Sequence, residues 1–453
     1  ILLSALKLIE MKGFRDGFLI VFLSFFILFG NFLYSQDIST MIMMLLGIIF
    51  GTAVLLRINY GTGIQLGSGT ILRRVIRFIL LSLPLMLVLF LFFPRFPTAL
   101  SLMEEADHNR QKAISGFNDR LTPGSFAELA QSNQPAFSVE FQQGRMPRQQ
   151  DLYFRGNVLW HTNGRLWRPG VFAYSYNRSY IYRQNDGIDH TITMEPHNRH
   201  WLFALDYPVV IRRADFILPG QVYRTRFRVK EKLRYVVTSR RILSGRKDRL
   251  RPQEKVNGLQ LPHDWQSPIL RLGQEWKAAA SQPSEIIDMG LRYFKENGFI
   301  YTLSPGQMNP YAPLEDFLFN QKRGFCEHYA ATFCLLMRSA GVPARVVVGF
   351  QGGEYNNIGD YLQLRQSDAH AWCEVWLKDR GWIRIDPTRT VAPERILYGA
   401  AINRQIEQSG QDNRSEALNS ARRQTFFKRV SVYFNYFWDN INRKWDQWVI
   451  MYN

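Results

Sequence analysis

Apolar residues are concentrated at the start of the chain, where three long stretches carry no charged side chain: residues 17–36, 38–56 and 78–94. Each approaches the roughly 20 residues that a helix needs to cross a bilayer. The third is the shortest and contains Pro84. A buried helix of a soluble protein would explain any one of them, but three in succession favour membrane spans. We therefore predict transmembrane helices over these stretches, within residues 1–97.

Cationic residues flank the three stretches unevenly. The connection between the first two carries only Asp37, whereas cations precede the first stretch and fill the connection before the third: Lys7, Lys12, Arg15, Arg57, Arg73, Arg74 and Arg77. Because Lys and Arg favour the cytoplasmic side, we expect the third stretch to leave the cytoplasm and residues after 96 to lie outside it. The chain begins with Ile rather than Met, so we expect it to be a fragment.

The pattern changes after the third stretch. A run rich in Ser, Asn and Gln follows, and we interpret residues 98–135 as a linker. From Ala136 apolar residues alternate with polar ones in short runs separated by turn residues, at 137–141, 152–154, 179–182, 191–194 and 227–229. This alternation predicts a β-rich external domain over residues 136–250, arranged as an antiparallel sandwich.

A helical period returns between residues 264 and 298 and again from Cys326, where the second helix ends at Gly341-Val342-Pro343. Four apolar runs then predict an antiparallel sheet packed on that helix, at residues 346–350, 361–364, 370–377 and 382–386. We therefore predict a second folded unit over residues 264–400, which makes the external part α+β.

The end of the chain, residues 401–453, turns polar and then becomes rich in aromatic and basic residues. We interpret this segment as a polar linker followed by a helix that lies at the membrane surface. A helix docked on the preceding unit is the alternative.

The formal net charge is +18, most of it beyond residue 97. This surplus suits a surface near anionic lipids or anionic envelope polymers. Solubility alone explains it equally well. Because the sequence contains no zinc-finger or RNA-binding motif, nucleic acid is not an expected partner.

The chain has three cysteines, Cys326, Cys334 and Cys373. On a helix, Cys326 and Cys334 would lie about 12 Å apart along the axis, which is too far for a disulfide. Cys373 follows His370 by three residues on a predicted strand and so faces the opposite side of the sheet. A free thiol outside the cytoplasm is either buried or kept for its chemistry.

Cys326 is the candidate nucleophile because it opens the predicted helix, where unpaired N–H groups and the helix dipole lower the pKa of a thiol. His370 is the candidate general base and Asp386 the carboxylate that orients it. His370 begins one strand and Asp386 ends the next, one diagonal step apart, so we expect twist or a bulge to bring them together. Asp368 and Glu374 remain alternatives for the orienting carboxylate.

Four segments carry a family resemblance: Gly-Phe-Cys-Glu-His-Tyr-Ala from Gly324, Gly-Val-Pro-Ala-Arg-Val from Gly341, His-Ala-Trp-Cys-Glu-Val-Trp from His370, and Gly-Trp-Ile-Arg-Ile-Asp-Pro-Thr from Gly381. They resemble the transglutaminase-like superfamily, whose core is papain-like. The order of spans, β-rich region and core is similar to that of the bacterial membrane-anchored TgpA-like branch, as is Leu-Tyr-Phe-Arg-Gly from Leu152.

The resemblance implies a catalytic set of Cys326, His370 and Asp386, with no cofactor and no metal. It also implies a multi-pass protein of the bacterial inner membrane whose catalytic unit faces the periplasm, and a further span after the core. The expected reaction is acyl transfer from a protein or peptide glutamine to an amine through a thioester on Cys326. A cysteine peptidase, amidase or deamidase acting on envelope peptides is one alternative, and a non-catalytic envelope scaffold is another.

Overall fold

The computed structural model describes residues 13–34, 38–60, 67–92, 120–142, 146–172, 187–240, 250–263 and 266–400. They belong to two compact units, one drawn from residues 1–107 and 434–453 and the other from residues 108–433. The predicted strand at 179–182 and the C-terminal segment 401–453 lie outside the described residues.

The first unit contains three helices at the apolar stretches, α1 Phe14–Tyr34, α2 Ile38–Tyr60 and α3 Ser68–Phe92. Large apolar side chains point away from the unit, among them Phe22 at 61% exposure and Leu81 at 70%. Within the described residues, the segment Ile42–Tyr60 is long and apolar enough to cross a membrane. Spans at the other two stretches stay a prediction.

Small residues set the distance between α1 and α2. A Cβ atom on Gly47 would press on Leu28, and one on Gly51 would press on Phe25. Such small residues let two apolar helices approach closely, which is how helices associate in a lipid environment.

The second unit contains eight further helices in its described residues: α4 Ala127–Gln131, α5 Pro252–Gly258, α6 Pro268–Ala279, α7 Pro283–Glu296, α8 Pro313–Glu315, α9 Cys326–Ser339, α10 Thr388–Val391 and α11 Pro393–Tyr398. A π-helical turn, Asp316–Gln321, follows α8. The single helical period predicted over 264–298 is two helices, because Pro283 begins a new one.

The strands of the N-terminal half are β1 Pro135–Phe141, β2 Tyr153–Thr162, β3 Trp167–Pro169, β4 Gly187–Met194, β5 Trp201–Leu202, β6 Ala204–Leu205, β7 Pro208–Ile211, β8 Phe216–Leu218, β9 Val222–Arg224 and β10 Leu233–Arg240. Those of the C-terminal half are β11 Ile300–Tyr301, β12 Arg323–Gly324, β13 Ala344–Gln351, β14 Glu354–Asn356, β15 Tyr361–Arg365, β16 Ala369–Leu377 and β17 Gly381–Ile385. The four strands predicted after Cys326 are therefore confirmed as β13, β15, β16 and β17.

One predicted strand is wrong. Residues 227–229 alternate in polarity, yet they lie in the loop between β9 and β10. Phe227 is 78% exposed, so the alternation does not reflect a buried face.

Two large antiparallel sheets draw strands from both halves of this unit. One has the order β17-β16-β13-β2-β3, with β6 also paired to β2, and the other has the order β14-β15-β1-β4-β10-β7. Thus β2 extends the sheet on which α9 packs, while β14 and β15 leave that region and join the N-terminal strands. The fold is α+β, as expected, and the boundary between residues 136–250 and 264–400 stays a prediction.

A close backbone approach joins the two halves at Gly349. The register between β13 and β2 shifts between Val348 and Gly349. A Cβ atom at Gly349 would overlap the carbonyl oxygen of Phe154, so the strands pair here only because the residue is glycine.

A buried cluster of charges crosses the same sheet. The Glu374 carboxylate on β16 accepts hydrogen bonds from Arg155 on β2 and from Arg345 on β13, the latter through Nε at 2.8 Å. Arg155 also lies 3.4 Å from Asp206, which pairs with Arg384 on β17 at 2.6 Å. Burial alone would raise the pKa of Glu374, but the two guanidinium groups hold it below its usual value. Buried charges are tolerated only when paired in this way.

We expect Glu374→Gln to reduce the free energy of unfolding by about 3–5 kcal/mol, because it leaves two buried guanidinium groups without a full counter-charge. Urea unfolding followed by tryptophan fluorescence would measure the loss. Glu296→Gln, on an exposed face of α7, is the matched control and should change stability by less than about 0.5 kcal/mol. Equal stability of the two variants would contradict a supporting role for the cluster.

Candidate active site

The helix α9 begins at Cys326, as the sequence predicts. Phe325 occupies the N-cap position, and the backbone N–H of Phe325 donates to His328 Nδ1 at 3.4 Å. A Cβ atom on Gly324 would press on the Phe317 ring, so glycine allows β12 to pass close to the residues before α9. Cys326 is therefore held at the start of a wholly buried helix.

His370 and Asp386 meet through their side chains, with His370 Nε2 2.8 Å from Asp386 Oδ2. The ladder between β16 and β17 runs from Cys373↔Ile385 to Leu377↔Gly381 without a register shift. The expected bulge is therefore not found. Asp386 follows the last residue of β17, and two side chains on a diagonal of an antiparallel pair are within reach of each other.

Cys326 lies against the same strand, because its sulfur accepts a hydrogen bond from the backbone N–H of Ala371, the neighbour of His370. His370 Nδ1 is buried and has no hydrogen-bond partner in the part of the chain that the structure describes. Since Asp386 holds Nε2, Nδ1 is the nitrogen that remains available to exchange a proton.

Asp386 is held by more than His370. The Tyr153 hydroxyl donates to Asp386 Oδ2 at 2.7 Å, and the Thr388 N–H donates to Oδ1 at 3.0 Å. The guanidinium of Arg384 lies 3.8 Å from the centre of the Tyr153 ring. Tyr153 and His370 thus bind the same carboxylate oxygen, while Thr388 binds the other.

The two alternative carboxylates have other partners. Glu374 belongs to the arginine cluster, and Asp368 accepts the backbone N–H of Arg365 at 2.9 Å. The geometry therefore favours Asp386 as the partner of His370.

Burial dominates the electrostatics of these residues. It lowers the pKa of His370, partly offset by the Asp386 carboxylate, so the imidazole is neutral at neutral pH. For Asp386, burial acts to raise the pKa, but the charge and hydrogen bond of His370 and the Tyr153 hydroxyl keep it below its usual value. A neutral imidazole beside an ionised carboxylate is the resting form of a general base.

The expected depression of the Cys326 pKa is not found. Burial raises the pKa of this thiol to about 12, and the neighbouring Glu327 carboxylate acts in the same direction. A helix terminus stabilises an anion by about 1 kcal/mol or less, whereas full burial shifts a pKa by up to about 3–5 units. Desolvation therefore outweighs the helix dipole in this closed site.

The thiol is only 3% exposed and lines a pocket with room for about one water molecule. Phe126 and Ala130 line that pocket and belong to residues 120–131, which we call the cover segment. The cover segment is paired to β3, since Leu121 and Trp167 exchange two backbone hydrogen bonds. Residues 120–131, inside the range interpreted as a linker, thus close the site.

Glu327 binds the cover segment next to Cys326. Its carboxylate accepts hydrogen bonds from the Gly124 N–H, from the Ser125 hydroxyl at 2.8 Å and from the Phe126 N–H at 3.2 Å. Burial raises the pKa of Glu327 to about 8, while these donors act to lower it. An exposed glutamate has a pKa near 4.3. Between about pH 4.3 and pH 8, Glu327 is therefore protonated when the cover segment is closed and ionised when it is displaced. Because displacement releases a proton in this range, a rise in pH favours the open state.

Three residues of the site were not singled out from the sequence. Tyr153 and Glu327 lie in segments that carry the family resemblance, but no local pattern marks them as part of a site. Tyr153 contacts Asp386, 233 residues away, and Glu327 contacts the cover segment about 200 residues away. Arg395, which also lines the pocket, carries no sequence signal.

Two family models match the chain. The TgpA N-terminal domain matches residues 1–244, and the transglutaminase-like superfamily matches residues 271–387. The first match covers more than half of the chain, and the second contains Cys326, His370 and Asp386.

Curated relatives agree with these matches. A protein-glutamine gamma-glutamyltransferase of Pseudomonas aeruginosa is 33% identical over 450 residues, which cover 99% of this chain and 65% of the relative. The chain therefore spans about two thirds of the length of that protein. An uncharacterized protein of Bacillus subtilis, YebA, is 38% identical over 80 residues, 17% of this chain and 11% of its own length.

Solved structures show the same relationship. The crystal structure of the periplasmic domain of TgpA from Pseudomonas aeruginosa matches with a TM-score of 0.58 and 34% identity, covering 64% of this chain and 99% of that domain. A structure of the same domain bound to ethylmercury matches with a TM-score of 0.56 and 35% identity over 62% of this chain and 99% of that one.

We expect Glu327→Gln to increase the rate at which iodoacetamide alkylates Cys326 by about tenfold. The amide that replaces the Glu327 carboxylate brings an N–H donor against the N–H and O–H donors of the cover segment. The cover segment is therefore bound less tightly to α9. Peptide mass mapping would measure the rate, and the buried Cys334 and Cys373 serve as internal references.

Ser125→Ala, which removes only one of the three hydrogen bonds, is the matched control and should give a smaller increase. Between about pH 5 and pH 8 the rate should rise more steeply in the wild type than in Glu327→Gln, because only the wild type couples opening to ionisation of Glu327. An unchanged rate in Glu327→Gln would show that the cover segment does not limit access.

Proposed function

Because this chain belongs to the transglutaminase-like superfamily, in the group that carries the TgpA N-terminal domain, we propose that it is a membrane-anchored, cysteine-dependent acyltransferase. Cys326 is the nucleophile, His370 the general base and Asp386 the residue that orients the base. The 2.8 Å contact between His370 Nε2 and Asp386, with Cys326 placed against the adjoining Ala371 N–H, carries the proposal.

In the first half-reaction, His370 Nδ1 takes the Cys326 proton and the thiolate attacks the carbonyl carbon of a glutamine side chain. The oxyanion that forms accepts a hydrogen bond from the Cys326 backbone N–H at the start of α9. The C–N bond then breaks, the imidazolium protonates the leaving ammonia, and a thioester remains on Cys326.

In the second half-reaction, a primary amine such as a lysine side chain attacks the thioester carbon. His370 accepts the proton that the amine loses and returns it to the departing sulfur, which restores the free thiol. Water in place of the amine gives deamidation by the same steps. A backbone amide as acyl donor gives proteolysis.

Catalysis requires the cover segment to move. With the site closed, the pKa of Cys326 near 12 leaves very little thiolate at neutral pH, and the pocket admits nothing larger than about one water molecule. Displacement of the cover segment readmits water and removes the desolvation that raises this pKa. The substrate must therefore compete with residues 120–131 for the same surface.

The membrane placement is part of the proposal. We place α1, α2 and α3 as spans of a bacterial inner membrane, with the catalytic unit in the periplasm. The lengths of the helices support their placement as spans. The cations between α2 and α3 support this orientation. The similarity to a structure described as a periplasmic domain supports it independently.

The reaction can be tested by mass spectrometry of the intact chain incubated with a glutamine peptide, with and without a labelled primary amine. We expect a peptide adduct on Cys326 with release of ammonia, followed by transfer of the peptide to the amine. Cys326→Ala should abolish both steps. Ammonia release without amine incorporation would identify a hydrolase, and the absence of adduct and ammonia in the wild type would favour a non-catalytic scaffold.

We expect Tyr153→Phe to lower the turnover number about tenfold, because Asp386 loses a hydrogen bond of about 1.5 kcal/mol and orients His370 less firmly. Steady-state kinetics of amine incorporation would measure the change. Tyr235→Phe is the matched control, since Tyr235 is also buried and donates to the Phe203 carbonyl at 2.7 Å away from the site. Equal turnover in the two variants would remove Tyr153 from the positioning of Asp386.

A further inference from the structure

Arg395 is a buried cation in the pocket of the nucleophile. It lies on α11, is 3% exposed, and lines the same pocket as Cys326 and Ser367. Arg395 and Cys326 therefore face the same small cavity. Arg395 stands beyond residue 387, where the match to the transglutaminase-like superfamily ends.

Within the residues that the structure describes, the hydrogen bonds of Arg395 go to uncharged oxygen atoms. Its Nη1 donates to Gln351 Oε1 at 2.7 Å and to the Gln351 carbonyl at 3.4 Å, and its Nη2 lies 3.5 Å from the Asp368 carbonyl. Neutral acceptors hold a guanidinium in place but leave its positive charge uncompensated.

Other buried arginines of the unit differ from Arg395. Arg155 and Arg345 face Glu374, and the half-buried Arg384 faces Asp206. Arg338 resembles Arg395 in binding carbonyl oxygens, but it packs over the Trp167 ring at 4.7 Å and does not line the pocket.

Three carboxylates of the described residues near Cys326 or Arg395 are directed at other groups, and that of Asp368 accepts the Arg365 N–H at 2.9 Å. Asp386 is bound by His370, Tyr153 and Thr388, and Glu327 is bound by the cover segment. The charge of Arg395 acts on the reacting groups, since it lowers the pKa of both Cys326 and His370. A positive charge in a dry pocket attracts an anion more strongly than it would in water.

We propose that Arg395 forms a carboxylate-binding subsite beside Cys326, so that the natural substrate carries a carboxylate close to its reacting group. The assignment of this subsite to a substrate depends on the proposed acyl transfer. The carboxylate belongs either to the acyl donor, as the α-carboxylate of a terminal glutamine, or to the amine acceptor, as in an amino acid with a free side-chain amine.

The subsite can be tested without turnover by comparing two alkylating reagents of nearly equal size. Iodoacetate carries a carboxylate where iodoacetamide carries a neutral amide, and both must reach Cys326 by the same opening. The ratio of their rates on one chain therefore reports the charge that the reagent meets and not how often the cover segment opens.

We expect Arg395→Gln to reduce the iodoacetate to iodoacetamide ratio at Cys326 about tenfold, the effect of losing one charge-assisted hydrogen bond. Arg395→Lys keeps the charge and should retain most of the ratio. Arg338→Gln is the matched control and should leave the ratio unchanged. The same ratio in Arg395→Gln and in the wild type would overturn the subsite, as would failure of both reagents to label Cys326.

Two pairs of substrates then locate the carboxylate. A peptide ending in glutamine is compared with the same peptide ending in a carboxamide, and lysine is compared with lysinamide as acceptor. Faster reaction of the compound with the free carboxylate in one of the pairs, lost in Arg395→Gln, supports the subsite and shows whether the donor or the acceptor carries the carboxylate. Equal rates within both pairs overturn the assignment to a substrate. If no acyl transfer occurs with any pair, the proposed function fails while the reagent ratio still decides the subsite.

Discussion

The exclusion of water from the start of α9 is the constraint on which the site depends. It raises the pKa of Cys326 and lowers that of His370, so the resting pair is a neutral thiol and a neutral imidazole. It also strengthens the electrostatic interactions of the charged groups in the site, including Asp386 and Arg395. A thiol kept in this form is protected from oxidation, because the thiolate is the form that reacts. Access and reactivity are therefore controlled together by whatever covers the pocket.

The site is built from both halves of the second unit, residues 108–433. The strand β2 lies in the part matched by the TgpA N-terminal domain, yet it pairs with β13 and supplies Tyr153 and Arg155 to the core. Conversely, β15 of the C-terminal half pairs with β1 of the N-terminal half. Because each half completes a sheet of the other, we expect neither to keep the geometry of His370 and Asp386 alone. The N-terminal region thus contributes to the candidate active site as well as to its cover.

Three buried carboxylates show how neighbouring groups decide a role. Glu374 is neutralised by two arginines and supports the sheet, Asp386 is held by an imidazole and a phenol, and Glu327 faces neutral donors of the cover segment. Their pKa values follow these partners: those of Glu374 and Asp386 lie below the usual range, and that of Glu327 lies at about 8. Of these three carboxylates, Glu327 is the one whose pKa lies near neutral pH and whose charge therefore changes in that range.

The sequence by itself determined the apolar stretches, the α+β character, the position of Cys326 at a helix start, the strand that contains His370 and the strand that ends next to Asp386. These features depend on local periodicity and on short motifs, which can be identified from consecutive residues of the sequence. Tertiary structure decided the strand exchange, the cover segment, the roles of Tyr153, Glu327 and Arg395, and the direction of the Cys326 pKa. Each of these depends on burial or on contacts between distant residues, and desolvation is a property of the packed site that no local pattern contains.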